Sequence, residues 1–393
     1  MQFQYYMPSR IFFGSGSLEQ LGCVKLPGSK ALVVISAGKS MRRSGYLDRL
    51  LGLLAANGVQ SVVFDRIQPN PTKDSIMEGA ALARTEGCDF VVGLGGGSSI
   101  DAAKAIAIMA VNPGDYWDYI HGGSGTGRPV PAGALPIVAV TTTAGTGTEA
   151  DPWTVITKED TNEKIGFGLD CTFPTLSIVD PDLMLTVPPK LTAYQGFDAL
   201  FHATEGVIAK VASPLSDLYA LKSIELISRW LPVAVHDGAN AEARAHLAFA
   251  NTLSGFVEST SSCTSEHSLE HALSAHHPDL PHGAGLVMLS MAYYGFFEPK
   301  LPPELYVKLA RAMGVAVDDL PEGCRAHAFV EALGRLIEAC DLDGLRMSSY
   351  GIARGDIPEL ARTARQTMAN LFELDRYSLS YQETVEILEK AYR

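Results

Sequence analysis

The chain has 393 residues, enough for two domains that each bury a core, and 31 Lys and Arg against 44 Asp and Glu leave a formal net charge of −13. No run of basic residues forms a patch able to neutralise phosphates along a duplex, which excludes nucleic acid as the expected partner. The start, MQFQYYMPSRIFFGSG, lacks the basic-then-apolar order of a secretory leader, and no stretch approaches about 18 consecutive apolar residues, so a cytoplasmic protein without a membrane partner is expected. Six scattered cysteines with no C-x-x-C pair fit reduced thiols.

In chain order, QFQYYMPSRIFFG (2–14) reads as an extended segment, either an edge strand inside one subunit or a strand for a neighbouring chain. Short β-branched runs then alternate with amphipathic stretches: ALVVIS (31–36), SVVFD (61–65), DFVVGLGG (89–96) and PIVAVTTT (136–143). That alternation predicts a parallel sheet wrapped by helices. TVITKEDTNEKIGFGL (154–169) reads as a hairpin around a polar turn. Past Pro188 and Pro189 one helical pattern follows another, and Ser380 with Glu383 has the spacing of a capping box. The expected fold is an α/β dinucleotide-binding domain over 1–188 and an all-helical domain over 189–393.

VVGLGGGSSIDAAKAIA places a strand, the loop Gly95, Gly96, Gly97, Ser98 and Ser99, and a helix expected to begin near Ile100. Glycines admit a ligand close to the backbone, and a helix N-terminus attracts an anion, so a phosphate is expected here. The loop is not G-x-G-x-x-G and follows the third strand of the series, so the ordinary dinucleotide fingerprint is absent. A second small-residue loop, TTTAGTGTEAD (141–151), again ends a strand and offers the hydroxyls of Thr142, Thr143 and Thr146, which suggests one extended cofactor touched at two points. Asp101 and Lys104, on the helix after the first loop, are expected to help position it, and Lys164 in the hairpin is a further candidate contact. Ser36 ends the first strand of the alternation, where an acidic residue would bond an adenosine ribose, and this leaves room for a 2′-phosphate, so NAD and NADP both stay open.

Five of the ten histidines fall within HSLEHALSAHHPDLPHG (267–283). His267 and His271 sit four apart, as do Asp198 and His202 in YQGFDALFHATEGVIAK, so each pair shares a helix face. With His282 in LPHG, two helices and a loop supply three or four N/O ligands for a divalent transition metal. An isolated H-x-x-x-H is more often a solvated pair, and Cys263, four residues before His267, is a rival ligand. His276 and His277 either line a substrate pocket or face water.

The set PNPT (69–72), GGGSSIDAAKAI, TTAGTGTE and IVDPDLMLTVPPKLTAYQGFDALFHATE, in that order, resembles the iron-containing, group III alcohol dehydrogenase family along nearly the whole chain. The resemblance implies the dehydroquinate synthase-like two-domain fold and a metal held by Asp198, His202, His267 and His282, with His271 beside it as a proton relay. It implies Fe2+ as the usual ion, with Zn2+ and Mn2+ suited to the same ligands, and a homodimer or higher homo-oligomer. The implied reaction is NAD(P)-linked hydride transfer between nicotinamide C4 and a small alcohol or diol whose oxygen lies on the metal. Alternatives are a maleylacetate reductase-like or glycerol dehydrogenase-like oxidoreductase, or a dehydroquinate synthase-like lyase. Between His267 and His282 the chain is one residue longer than is common in the family, and Ser36 stands where many NAD-preferring relatives carry Asp.

Overall fold

The computed structural model describes residues 3–392, which divide into two compact units, Tyr6–Thr186 and Val187 onward together with residues 3–5. The first is built on a six-stranded sheet of β1 (Arg10–Phe13), β2 (Lys30–Ser36), β3 (Gln60–Ile67), β4 (Phe90–Gly95), β5 (Ile137–Thr141) and β8 (Leu176–Val179), in the order β1-β8-β5-β4-β2-β3. Every pairing in it is parallel. Helices α1 (Ser40–Arg43), α2 (Tyr46–Ala56), α3 (Lys73–Glu86) and α4 (Gly97–Val111) connect the first strands, and β6 (Thr154–Lys158) and β7 (Glu163–Phe167) form the antiparallel hairpin.

Alternating side chains along each strand put Ala31, Val33 and Ile35 into one hydrophobic cluster and Leu32 and Val34 into the other, so the sheet is buried on both faces. Helix α2 packs into the first cluster, and α3 and α4 into the second. The chain therefore changes face and direction between β2 and β4, and the crevice at their carboxyl ends is where open α/β sheets take ligands. The loops leaving β2 at Ser36 and β4 at Gly95 flank that crevice. Within the opening segment Arg10–Phe13 form the edge strand β1, held against β8.

The second unit holds α5 (Pro189–Ile208), α6 (Pro214–His236), α7 (Ala241–Thr260), α8 (Ser265–His276), α9 (His282–Phe297), α10 (Pro303–Ala312), α11 (Ala328–Ala339), α12 (Ile357–Thr367), α13 (Ala369–Glu373) and α14 (Tyr381–Ala391), with no strand among its described residues. Pro189 starts α5 at its first helical position, where a missing N–H costs nothing. A Cβ on Gly283 would stand 2.1 Å from the Tyr194 carbonyl oxygen, so only glycine lets α9 approach α5 this closely. The Ser380 and Glu383 capping box is present at the start of α14. Among the described residues no helix is long and apolar enough to cross a membrane.

Candidate metal centre and nucleotide loops

Helix α5 is buried on nearly every side and carries Asp198 and His202 one turn apart. Helix α8 presents His267 and His271, and His282 is the first residue of α9. His282 was expected on a loop; the turn after Pro281 closes at once into helix, so three helices supply the set. One carboxylate oxygen, Asp198 Oδ1, lies 3.6 Å from His202 Nε2, 3.6 Å from His267 Nε2 and 3.3 Å from His282 Nε2.

The opposite nitrogen of each ring faces a carboxylate, which holds it by a hydrogen bond at His267 and His282. His267 Nδ1 meets Glu205 Oε1, His282 Nδ1 meets Glu270 Oε2, and His202 Nδ1 stands 3.2 Å from Glu258 Oε1. At His267 and His282 that hydrogen bond keeps the proton on Nδ1, so Nε2 presents a lone pair. Lone pairs facing one carboxylate oxygen repel unless a cation or proton lies among them. Asp198 Oδ1 and His267 Nε2 are buried and lack a hydrogen-bond partner. Ligands about 2.0–2.1 Å from one ion at tetrahedral angles stand roughly 3.4 Å apart, close to the separations here. The residues fit a divalent cation.

Burial opposes charge on Asp198, but the His202 and His282 imidazoles outweigh it and hold the carboxyl well below the usual carboxylate range. Burial also opposes charge on His267, and Cys263 and Glu205 beside it more than reverse that, raising the imidazole well above its ordinary value. Cys263 is buried within reach of His202 and His267, and burial pushes its thiol up. His271 is buried, with Nδ1 2.9 Å from Met368 Sδ and its ring centre 5.4 Å from that of His282. His276 Nε2 is tied to Thr363 Oγ1 at 3.1 Å, and His277 closes α8. The aromatic side chains of Phe167, Tyr294 and Phe296 are core groups, all buried.

In the sheet unit the helix begins at Gly97, three residues before the expected Ile100, so Gly97, Ser98 and Ser99 form its first turn. No side chain caps this N-terminus, and while the Ser99 N–H donates back to the Gly96 carbonyl at 3.0 Å, the N–H groups of Gly97 and Ser98 are left for another acceptor. The two small-residue loops lie against each other: a Cβ on Gly97 would come 2.5 Å from Thr146 Cγ2, and one on Gly96 3.0 Å from Thr143. Loop-to-loop packing is thus a second reason for these glycines. Ser36, Ser98, Thr143 and Thr146 are half-buried, and Ser99, Thr142 and Lys164 are buried.

Asp101 and Lys104 turn into the protein. Lys104 Nζ donates to Thr148 Oγ1 at 2.6 Å, Trp153 O at 2.8 Å, Asp151 O at 2.9 Å and Asp151 Oδ1 at 3.1 Å. Asp101 accepts from the Thr148 hydroxyl at 2.7 Å and the Val155 N–H at 3.0 Å. Burial pushes Asp101 up to about 6 against the pull of Lys104. With its donors taken up by protein, Lys104 holds the second loop, so any help it gives in positioning a cofactor passes through that loop.

Residues 8–181 match the iron-containing alcohol dehydrogenase family and residues 192–392 match the C-terminal part of the Fe-containing alcohol dehydrogenase family. The chain belongs to the iron-containing alcohol dehydrogenases. It is 34% identical over 392 residues to 1,3-propanediol dehydrogenase of Citrobacter freundii, covering 99% of each chain. It is 32% identical over 362 residues to the NAD-dependent methanol dehydrogenase of Bacillus methanolicus, covering 92% of each. The crystal structure of an archaeal halo-thermophilic alcohol dehydrogenase from a Red Sea brine pool superposes with a TM-score of 0.94 at 35% identity, covering 100% of this chain and 99% of that one. The chain is an alcohol oxidoreductase. The carboxylates Glu205, Glu258 and Glu270 were missed in the sequence, where acidic residues on helices read as solvated faces. A faint signal was present: Glu205 lies three residues after His202 and Glu270 three after His267.

Proposed function

We propose that this protein is a metal-dependent, NAD(P)-linked alcohol dehydrogenase or aldehyde reductase for a small primary alcohol or diol. The single observation that carries the reading is the convergence of three imidazole Nε2 atoms on Asp198 Oδ1, with an orphaned buried oxygen and nitrogen at its centre. When bound, a divalent cation supplies Lewis-acid polarisation of the substrate oxygen, and nicotinamide supplies or accepts the hydride.

Asp198, His202, His267 and His282 would hold the ion. Glu205 and Glu270 would fix the rings of His267 and His282 in the tautomer that offers Nε2, and Glu258 faces Nδ1 of His202 at 3.2 Å. Three neutral imidazoles and one anionic carboxylate admit Fe2+, Zn2+ or Mn2+, and the family favours iron. His271, outside the ligand set, would carry the hydroxyl proton, a role supported by its ring lying 5.4 Å from that of His282. The helix N-terminus at Gly97 to Ser99 would take the cofactor pyrophosphate, and Thr142, Thr143 and Thr146 would line its path. Ser36 brings no carboxylate to the crevice beside β4, so a ribose 2′-phosphate meets no like charge there. The relatives named for 1,3-propanediol and methanol act on primary hydroxyl groups, which supports a primary alcohol here.

The test is oxidation of 1,3-propanediol, methanol and longer primary alcohols with NAD+ and with NADP+, before and after chelation and restoration of Fe2+, Zn2+ or Mn2+. Activity that disappears with the metal and returns with it supports the reading. Turnover indifferent to chelation, in protein shown to be metal-free, contradicts it.

A further inference from the structure

The outer partner of His267 does not end at Glu205. Glu205 Oε2 accepts the Thr264 N–H at 2.7 Å and the Thr264 hydroxyl at 2.8 Å. The Thr264 hydroxyl lies 2.9 Å from the Tyr293 hydroxyl, and the Ser265 hydroxyl 3.1 Å from it. Tyr293 donates to Asp375 Oδ1 at 3.3 Å, and the Ser265 N–H donates to the same oxygen at 3.3 Å.

Every member is sealed from water: Glu205, Thr264, Ser265 and Tyr293 are 0% exposed and Asp375 2%. The chain uses four separate segments, the end of α5, the start of α8, the middle of α9 and the turn after α13. No side chain of Thr264 caps α8; its first N–H groups go instead to two carboxylates remote in sequence, Glu205 and Asp375. Two buried carboxylates joined through hydroxyls and backbone N–H groups are expensive to keep for packing alone, since apolar groups of the same shape would fill that volume at less desolvation cost. Their geometry has one outlet toward chemistry, the Nδ1 of His267.

We infer that Asp375 and Tyr293 are positioning residues for the metal centre, acting through Thr264 and Glu205 to fix the ring of His267 and the first turn of α8. The inference rests on the four-ligand reading proposed above. Glu205 can hold His267 Nδ1 only while its own second oxygen is anchored, and Thr264 can anchor it only while the start of α8 is held by Asp375. Burial pushes the Asp375 carboxyl up to about 7, against the hydrogen bonds from Ser265, which marks it as a group kept in an apolar setting for the contacts it makes.

The experiment is chelator-competition measurement of the Zn2+ dissociation constant, with the visible spectrum of the Co2+-substituted protein, for the wild type, Tyr293→Phe, Asp375→Ala and Asp375→Asn. The wild type is expected to bind one ion per chain. Tyr293→Phe and Asp375→Ala are expected to weaken it about tenfold or more and to shift the Co2+ bands, since outer partners of ligating histidines are typically worth 10–100-fold. Asp375→Asn keeps an acceptor for Ser265 and Tyr293 and is expected to stay within roughly threefold. Tyr293→Phe loses one oxygen atom and fills the same space, so it keeps the test open if Asp375→Ala does not fold. Unchanged affinity and spectrum in folded Tyr293→Phe overturn the inference, as does an equal loss in Asp375→Asn and Asp375→Ala. A wild type that binds no ion overturns the four-ligand reading instead.

Discussion

Lys104 and Asp198 are both ionisable groups sealed inside their own unit, yet the protein finishes one cluster and leaves the other open. Around Lys104, four acceptors at 2.6–3.1 Å use every ammonium proton, and Thr148 passes the network on to Asp101. Around Asp198, three ring nitrogens stand at 3.3–3.6 Å from one oxygen that has no donor. A saturated buried network holds backbone in place, here the loop from Thr148 to Val155 against α4. An unsaturated one with lone pairs converging on a point is built for a group from outside.

The largest expected effect breaks the open cluster. His267→Ala removes one of the four ligands and is expected to lower kcat/KM by on the order of a thousandfold or more, with the fold retained by circular dichroism, because several kcal/mol of charge stabilisation go with the ion. Activity within tenfold of wild type would remove His267 from the site. Breaking the closed cluster acts on stability instead. Lys104→Met leaves Asp151 and Asp101 buried without their cation, and denaturant unfolding is expected to show a loss of about 3–5 kcal/mol. A loss below about 1 kcal/mol would mean that the network is not closed as described.

A third change sharpens the comparison from outside the ligand set. Glu270→Gln keeps the volume but weakens the hold on His282 Nδ1, and metal affinity is expected to fall about 10–100-fold while thermal stability moves little. Gly97→Ala is the smallest: its methyl meets Thr146, so about 1–3 kcal/mol of overpacking is expected in denaturant unfolding, together with weaker NAD(P)H binding in a fluorescence titration and near-normal metal content. Weakened metal binding in that variant would contradict the separate roles assigned to the two clusters.

Much of this was legible before any coordinates. The strand runs from 31 to 143 are apolar and β-branched because their sheet is covered on both faces, and the i, i+4 pairs Asp198 with His202 and His267 with His271 mark helix faces that carry chemistry. Other features were not. The strand Leu176–Val179 spans four residues inside a segment that reads equally as a boundary, and its pairing with β1 and β5 is long-range. The start of α4 was placed late because glycine and serine carry no helical periodicity, although their position after a strand makes them its first turn. The sequence gives the spacing of Lys104 from the glycine loop and not the direction it faces, so its bonds to Thr148, Asp151 and Trp153 were not legible. Glu205, Glu258 and Glu270 are ordinary helix residues by composition, and only three-dimensional packing reveals that each sits behind a histidine.

The central claim is that the convergence on Asp198 holds a divalent cation, and elemental analysis of the purified protein, reconstituted in turn with Fe2+, Zn2+ and Mn2+ under exclusion of oxygen, tests it most directly when run beside Asp198→Asn. The account predicts about one ion per wild-type chain and a large loss of that ion in a folded Asp198→Asn. Wild-type protein that retains no stoichiometric metal under any of the three conditions, or an Asp198→Asn that retains it undiminished, would contradict the account.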